Sequence, residues 1–151
     1  MATGKELWRV SVARRKTVKT LIDAEDWEAA GYMMGYVLET ALKAAACKSL
    51  NLSEYPDRTS SKNTTSYFMT HNFDQLLTVS GLTNLFEASA PEATSGKWSE
   101  FLQSYPGDWP RMRYEPHSVF VCDKASVRRL YEILYSKRDS IIKTIKKVQK
   151  W

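Results

Sequence analysis

The stretch from Trp27 to Leu50 constrains the fold more than any other, because it contains no proline and is apolar or small almost all the way round. Trp27, Ala30, Gly31, Met34, Leu38, Ala41, Leu42 and Ala45 follow one helical stripe, and Met33, Val37, Ala44 and Cys47 widen it. A helix that is apolar on so many sides has to be covered by neighbours, so the pattern predicts a central, buried helix. Asp26 is placed to cap it and Glu28 to meet the positive end of its dipole. Glu28, Glu39 and Lys43 fall within a narrow sector, since eleven residues make almost three whole turns. Glu39 followed by Lys43 is the better orientation of an i, i+4 ion pair. Gly31 and Gly35 cost helix propensity, so a close neighbour or a dimer partner is expected to use the missing side chains.

The flanking sequence predicts more helices. Residues 5–24 carry Leu7, Val10, Ala13, Val18, Leu21 and Ile22 among charges, an amphipathic pattern that Asp23-Ala24-Glu25-Asp26 ends. Asn51 to Thr65 is rich in Ser, Asn, Asp, Thr and Pro and reads as a loop. A short helix follows, with Asn72 as cap, Gln75 reaching back, and Ser80-Gly81 as its end; Leu76, Leu77 and Val79 are its inward residues. Residues 82–105 read as two short helices separated by Pro91 to Gly96, the second with Trp98, Phe101 and Leu102 on its apolar face. Trp109 to Val121, with Pro110 and Pro116, reads as an extended connection. Asp123 then caps a last helix of about six turns, in which Val127, Leu130, Tyr131, Leu134, Ile141, Ile145 and Val148 recur at helical spacing. Arg138 falls inside that stripe, as a snorkelling, paired or functional cation. The expected fold is an all-α antiparallel bundle of four to five helices with short extra helices and a long C-terminal helix, a single domain spanning 1–151.

Composition bounds the partners. The chain is 151 residues long, enough for one core, and its 43% hydrophobic and 26% charged residues are those of a folded domain. Cys47 and Cys122 are too few for a disulfide framework, so a reducing, cytoplasmic setting is expected. The apolar run Ala29 to Leu38 is about half of what a bilayer crossing needs, so no membrane span is expected. Nor does the charged amino terminus look like a secretory signal. The net charge of +5 hides a partition: residues 1–20 hold six Lys or Arg and one acid, residues 21–123 seven and fourteen, and residues 124–151 nine and two. Two basic terminal segments lying near one another would attract a phosphate polyanion, and nucleic acid is the partner class the charge favours. Arg14, Arg15, Arg128, Arg129, Arg138, Lys143, Lys146 and Lys147 are the candidate contacts. The alternative is that these residues only solvate two helices.

Little else in the sequence points to chemistry. The six glycines form no phosphate loop, and His71 and His117, the only histidines, have no acidic or Cys companions at zinc-site spacing, so neither metal nor cofactor is expected. What remains is a His to move a proton and an Arg to stabilise a phosphoryl group. Arg111, Arg113 and His117 are close enough in sequence to do both, or they form a plain polar loop paired with Glu115 or Asp108. His71, beside the cap of the short helix, is read as fixing the loop through a backbone hydrogen bond. Tyr32, Tyr36, Tyr131 and Tyr135 are read as core or dimer contacts, with stacking on bases as the alternative.

Residues 30–44, Ala-Gly-Tyr-Met-Met-Gly-Tyr-Val-Leu-Glu-Thr-Ala-Leu-Lys-Ala, fit A-x-Y-x-x-G-Y-x-x-E-x-x-L-K-A. This resembles the second-helix signature of the HEPN (higher eukaryotes and prokaryotes nucleotide-binding) superfamily. His71-Asn72-Phe73 is similar to the family's H-D-L, with Asn where the family has Asp, and Arg113-Tyr114 to its R-Y segment. The resemblance implies a dimeric helical bundle from toxin–antitoxin, phage-defence or RNA-processing systems, with Glu39, Lys43, His71 and Tyr114 as motif polar residues. Many such proteins are metal-independent RNases with an Arg-x4-6-His motif near the last long helix and a site composed across the dimer. Here Lys143, Thr144 and Ile145 follow Arg138 at that spacing, no His follows Arg128 or Arg129 either, and only Arg111 to His117 satisfies it. Three readings follow: a homodimer that binds RNA or a nucleotide through its basic helices, an active RNase using His117 with Arg111 or Arg113, and a protein-binding partner of a nucleotidyltransferase.

Overall fold

The computed structural model describes residues 2–57, 68–86, 92–105, 107–114, 123–136 and 139–150, with the side chains of residues 92–95, 112 and 113 excepted. Among the described residues the secondary structure is all helical: α1 (Gly4–Asp23), α2 (Trp27–Ser49), α3 (Phe73–Val79), α4 (Thr83–Phe86), α5 (Glu92–Gln103), a 3-10 turn (Trp109–Tyr114), α6 (Lys124–Tyr135) and α7 (Ile141–Gln149). They form an all-α bundle around α2. Among these residues no helix is long and apolar enough to cross a membrane.

α2 is the buried axis that the sequence pattern requires. Ala30, Met34, Val37, Leu38, Ala41, Leu42, Ala44, Ala45 and Ala46 are fully removed from solvent, and α1, α3, the 3-10 turn, α6 and α7 all pack against it. The Asp26 carboxylate accepts the Ala29 N–H at 3.2 Å and so supplies one of the acceptors the first turn lacks. Glu25 in the preceding turn has φ of 59°, which lets α1 fold back onto α2.

α1 turns a slightly different face inward than the apolar pattern predicts. Gly4, Ser11 and Val18 are its buried residues, while Val10 is 41% exposed and Ala13 is also outside. Ser11 can take an interior place because its hydroxyl donates to the Val37 carbonyl at 2.9 Å, so no polar group is left unmatched. A capping box that the apolar pattern did not signal starts the helix: Thr3 Oγ1 accepts from Glu6 N, and Thr3 N donates to the Glu6 carboxylate.

Two expectations need correction. Trp109–Tyr114 is helical, not extended: Pro110 lies in the first turn, where its missing N–H is not needed. Trp109, fully buried, anchors it. The C-terminal run is two helices. α6 ends with Ser136 in extended backbone, Asp139 takes φ of 56°, and Ser140 is the N-cap residue of α7. Of the predicted stripe, Val127, Leu130, Leu134, Ile141 and Ile145 are buried and Tyr131 partly so, whereas Val148, in the last turn, is 45% exposed. The break falls where a continuous helix would have put Arg138, itself outside the described residues, on the packing face.

Residues 58–65 of the expected loop and 115–121 of the expected extended connection lie outside the described residues; α3, α5 and α6 differ from expectation only in detail. Asn72 caps α3 by accepting from Gln75 N at 3.1 Å, but the Gln75 side chain accepts from Thr70 Oγ1 at 2.6 Å instead of reaching back to Asn72. α5 begins at Glu92, so Gly96 lies inside a helix and not in the connection before it. Asp123 caps α6, and the Ser126 N–H that it accepts holds its carboxyl below the usual range.

Candidate functional site

The sequence supplies two places for function: the cations of the terminal helices and the polar residues of α2. The cations of α1 are outward. Lys5, Arg9, Arg14, Arg15, Lys16 and Lys19 are all exposed, as are Lys143, Lys146, Lys147 and Lys150 of α7 and its cap. α7 contains no acidic residue. α1 meets the C-terminal helices where the Arg15 guanidinium lies 4.2 Å from the centre of the Tyr135 ring. Burial pushes the Tyr135 hydroxyl well above its usual range, and the Arg15 charge opposes the shift only in part.

Some of the predicted cations are held by partners within the chain. Arg129 makes a two-pronged pair with Glu100 of α5, Nε to Oε1 and Nη2 to Oε2 both at 2.9 Å, and reaches Glu132 at 3.5 Å. It therefore joins α6 to α5 while 46% of its side chain stays exposed. The Arg128 guanidinium lies 5.9 Å from the Trp27 ring centre and is exposed. Lys48, at the end of α2, donates to the Gln149 and Lys150 carbonyls and so closes the C-terminal end of α7.

The Arg111, Arg113 and His117 constellation is only partly in view. Arg111 is 69% exposed and lies 3.8 Å from Asp108, and Tyr114 is 72% exposed. The Arg113 side chain and His117 lie outside the described residues.

A different histidine is brought to a carboxylate. On α2, one turn separates Glu39 from Lys43, and the Lys43 ammonium donates to Glu39 Oε1 at 2.6 Å. The other oxygen, Oε2, is 2.9 Å from His71 Nδ1. His71 thus bonds a side chain of α2 and not the backbone group expected. The carboxylate side chain is 5% exposed, Lys43 19% and His71 48%, so a buried anion is covered by two nitrogen groups of which one faces water. An ionised carboxylate only accepts hydrogen bonds, so toward one Nδ1 is the donor, and Nε2 is the ring nitrogen that Glu39 does not engage.

Neighbouring residues hold this group in place. The Lys43 ammonium is also 5.4 Å from the Tyr55 ring centre. Tyr55 N–H donates to the Ala2 carbonyl at 2.8 Å and its hydroxyl to the Phe68 carbonyl at 2.8 Å, tying α1 and the approach to His71 together. Burial, followed by the Glu39 charge, pushes the Tyr55 hydroxyl well above its usual range. His71 meets the Trp109 ring edge-on with centroids 6.4 Å apart. Trp109 in turn stacks on Phe73 at 5.8 Å and meets Tyr36 at 4.8 Å and Tyr32 at 5.5 Å. Gly35 leaves the room for it: a Cβ there would lie 2.6 Å from the indole. The neighbour that uses this glycine is Trp109 of the same chain. Gly31 contributes its carbonyl, which accepts from Tyr105 Oη at 2.7 Å.

Tyr32 and Tyr36 are thus packed around Trp109, their hydroxyls 2.9 Å apart, and Tyr131 and Tyr135 touch each other with centroids 4.9 Å apart. Sequence reasoning missed Tyr55 and Trp109 and paired Glu39 only with Lys43; thirty-two residues separate Glu39 from His71, and local spacing carries no sign of their meeting. Among the described residues there is no group of three or more His, Cys, Asp or Glu side chains fit to hold a metal ion. Comparisons with protein-family models, with curated proteins and with solved structures gave no match.

Proposed function

We propose that this chain is a HEPN-like helical domain that binds RNA through the exposed cations of α1 and α7. The observation that carries the reading is that every Lys and Arg of these two helices faces solvent, on helices that flank the same buried α2, with no acid on α7 to offset them. The phosphates of a single strand would release counterions on meeting such a surface. The second-helix motif and the cluster of Glu39, Lys43 and His71 support the family assignment, which favours a homodimer in an intracellular toxin–antitoxin or phage-defence system.

Fluorescence anisotropy of a labelled single-stranded RNA against salt tests it. Contact with about five phosphates gives a log–log slope near −3.5, so affinity falls on the order of 500-fold between 50 and 300 mM salt. Binding equally strong at both concentrations removes the electrostatic basis of the proposal.

A further inference from the structure

We infer that α7 exchanges between two copies of this chain: α6 and α7 straighten into one helix, and each α7 packs on the α2 of the other copy. The exchange is independent of RNA binding and turns on the break between Ser136 and Ser140.

Sequence pattern and structure disagree at that break. From Lys124 to Gln149 there is no Gly or Pro, and Val127, Leu130, Leu134, Ile141, Ile145 and Val148 would stay on one side of a continuous helix, because their spacings of three, four and seven residues keep the helical period. The break is also weakly secured. Asp139 takes φ of 56°, a left-handed conformation that costs an Asp less than most residues but more than a Gly. Ser140 begins α7 without a side-chain capping bond, whereas Asp26, Asn72 and Asp123 supply one to α2, α3 and α6. On either side of the joint a hydroxyl, Tyr135 Oη and Ser140 Oγ, is buried with no hydrogen-bond partner among the described residues. In a continuous helix Asp139 takes the ordinary helical φ, and the Ser140 hydroxyl comes within reach of the Ser136 carbonyl four residues back. Strain gathered at one joint between two packed helices marks an element with two arrangements.

The contacts that hold α7 say what must receive it. Ile141, Ile142 and Ile145 are buried, and the helix packs on α2, α5 and α6. At its far end Lys48 donates to the Gln149 and Lys150 carbonyls, and Gln149 Nε2 donates to Ser49 Oγ at 3.0 Å. A lone chain that straightened would give the three isoleucines to water. A second copy, straightened alike, offers the same seat on α2, so each of these contacts is remade between chains and only the joint changes. The balance between the two forms is then set by the joint and by chain concentration.

The test refolds the full chain at high concentration and measures its mass by light scattering, for the parent, Asp139→Ala and Asp139→Gly. Position 139 is exposed, so neither variant touches the core. Alanine favours the straight helix over glycine and disfavours the left-handed joint, which shifts each hinge by roughly tenfold or more, and the two hinges of a dimer by about 100-fold in the dimerisation constant. Dimer is expected to rise in Asp139→Ala and to fall in Asp139→Gly. In a dimer refolded from mixed isotope-labelled and unlabelled chains, the Ile141 and Ile145 methyls should show nuclear Overhauser contacts to α2 of the other copy, and Ile133 of α6 should show none. Asp139→Ala no more dimeric than Asp139→Gly overturns the inference, as does a dimer in which Ile141 and Ile145 touch only the α2 of their own chain.

Discussion

The packing of Trp109 against Gly35 predicts that the same substitution, glycine to alanine, has opposite signs at two helical positions. At Gly35 a Cβ would approach three indole atoms at 2.6, 2.8 and 2.8 Å. The indole has little room to retreat, being fully buried and in ring contact with Tyr32, Tyr36, Phe73 and Tyr105. Overpacking of this kind costs roughly 1–3 kcal/mol, and a rigid ring among rings belongs at the upper end. Alanine returns about 1 kcal/mol of helix propensity. Gly35→Ala should therefore destabilise by about 2 kcal/mol, a fall in Tm of roughly 4–8 °C for a domain of this size. Gly96, inside α5, has nothing within 4 Å of a built Cβ, so Gly96→Ala should stabilise by about 0.5–1 kcal/mol. Thermal and urea denaturation followed by helical circular dichroism measure both. Adding Trp109→Leu to Gly35→Ala should make the pair less damaging than the sum of its parts. A Gly35→Ala protein as stable as the parent refutes the claim that the glycine exists to admit the indole.

Other predictions follow from the same contacts. Glu39→Ala leaves Lys43 and His71 without their shared acceptor and should cost about 2 kcal/mol, less than breaking a wholly buried pair because His71 faces water; urea midpoints measure it. The Arg129 guanidinium holds the Glu100 carboxyl below its usual range, so this pair's contribution is present above the unfolded value of about 4.3 and is lost as pH falls through the lower folded value. Both partners are over 40% exposed, so Glu100→Gln should lower stability by well under 1 kcal/mol at pH 6, and the difference should vanish towards pH 3. Lys146→Glu with Lys147→Glu should weaken RNA binding about tenfold or more and flatten its salt dependence, with Tm unchanged; affinity against salt checks it.

What the sequence made legible was set by local periodicity. α2 could be read almost to its ends because its apolar residues recur on a helical period and Asp26 marks its start, and α3 because Asn72 and Gly81 bracket it. The division of the last helix was harder to see, since Val127 to Ile145 stays in phase across the break. The one sign was Asp139-Ser140, residue types that favour a helix start, just before Ile141; Ser140 is the N-cap by position, without a side-chain capping bond. In the 3-10 turn, Pro110 argued for extension, while the burial of Trp109 under the aromatic cluster, a tertiary effect, decided the outcome. The Glu39–His71 contact belongs to the same class: the resemblance named both residues, but only the tertiary fold brings them together. The pairing of Arg129 with Glu100, twenty-nine residues apart, was invisible for that reason too.

The central claim is that RNA lies along α1 and α7, and the footprint of a short single-stranded RNA on the backbone amides tests it most directly. In a titration followed by NMR, the amides of Arg9 to Lys19 and of Lys143 to Lys150 should shift together and return on addition of salt. Shifts confined to α4 and α5, or none at saturating RNA, would contradict the account.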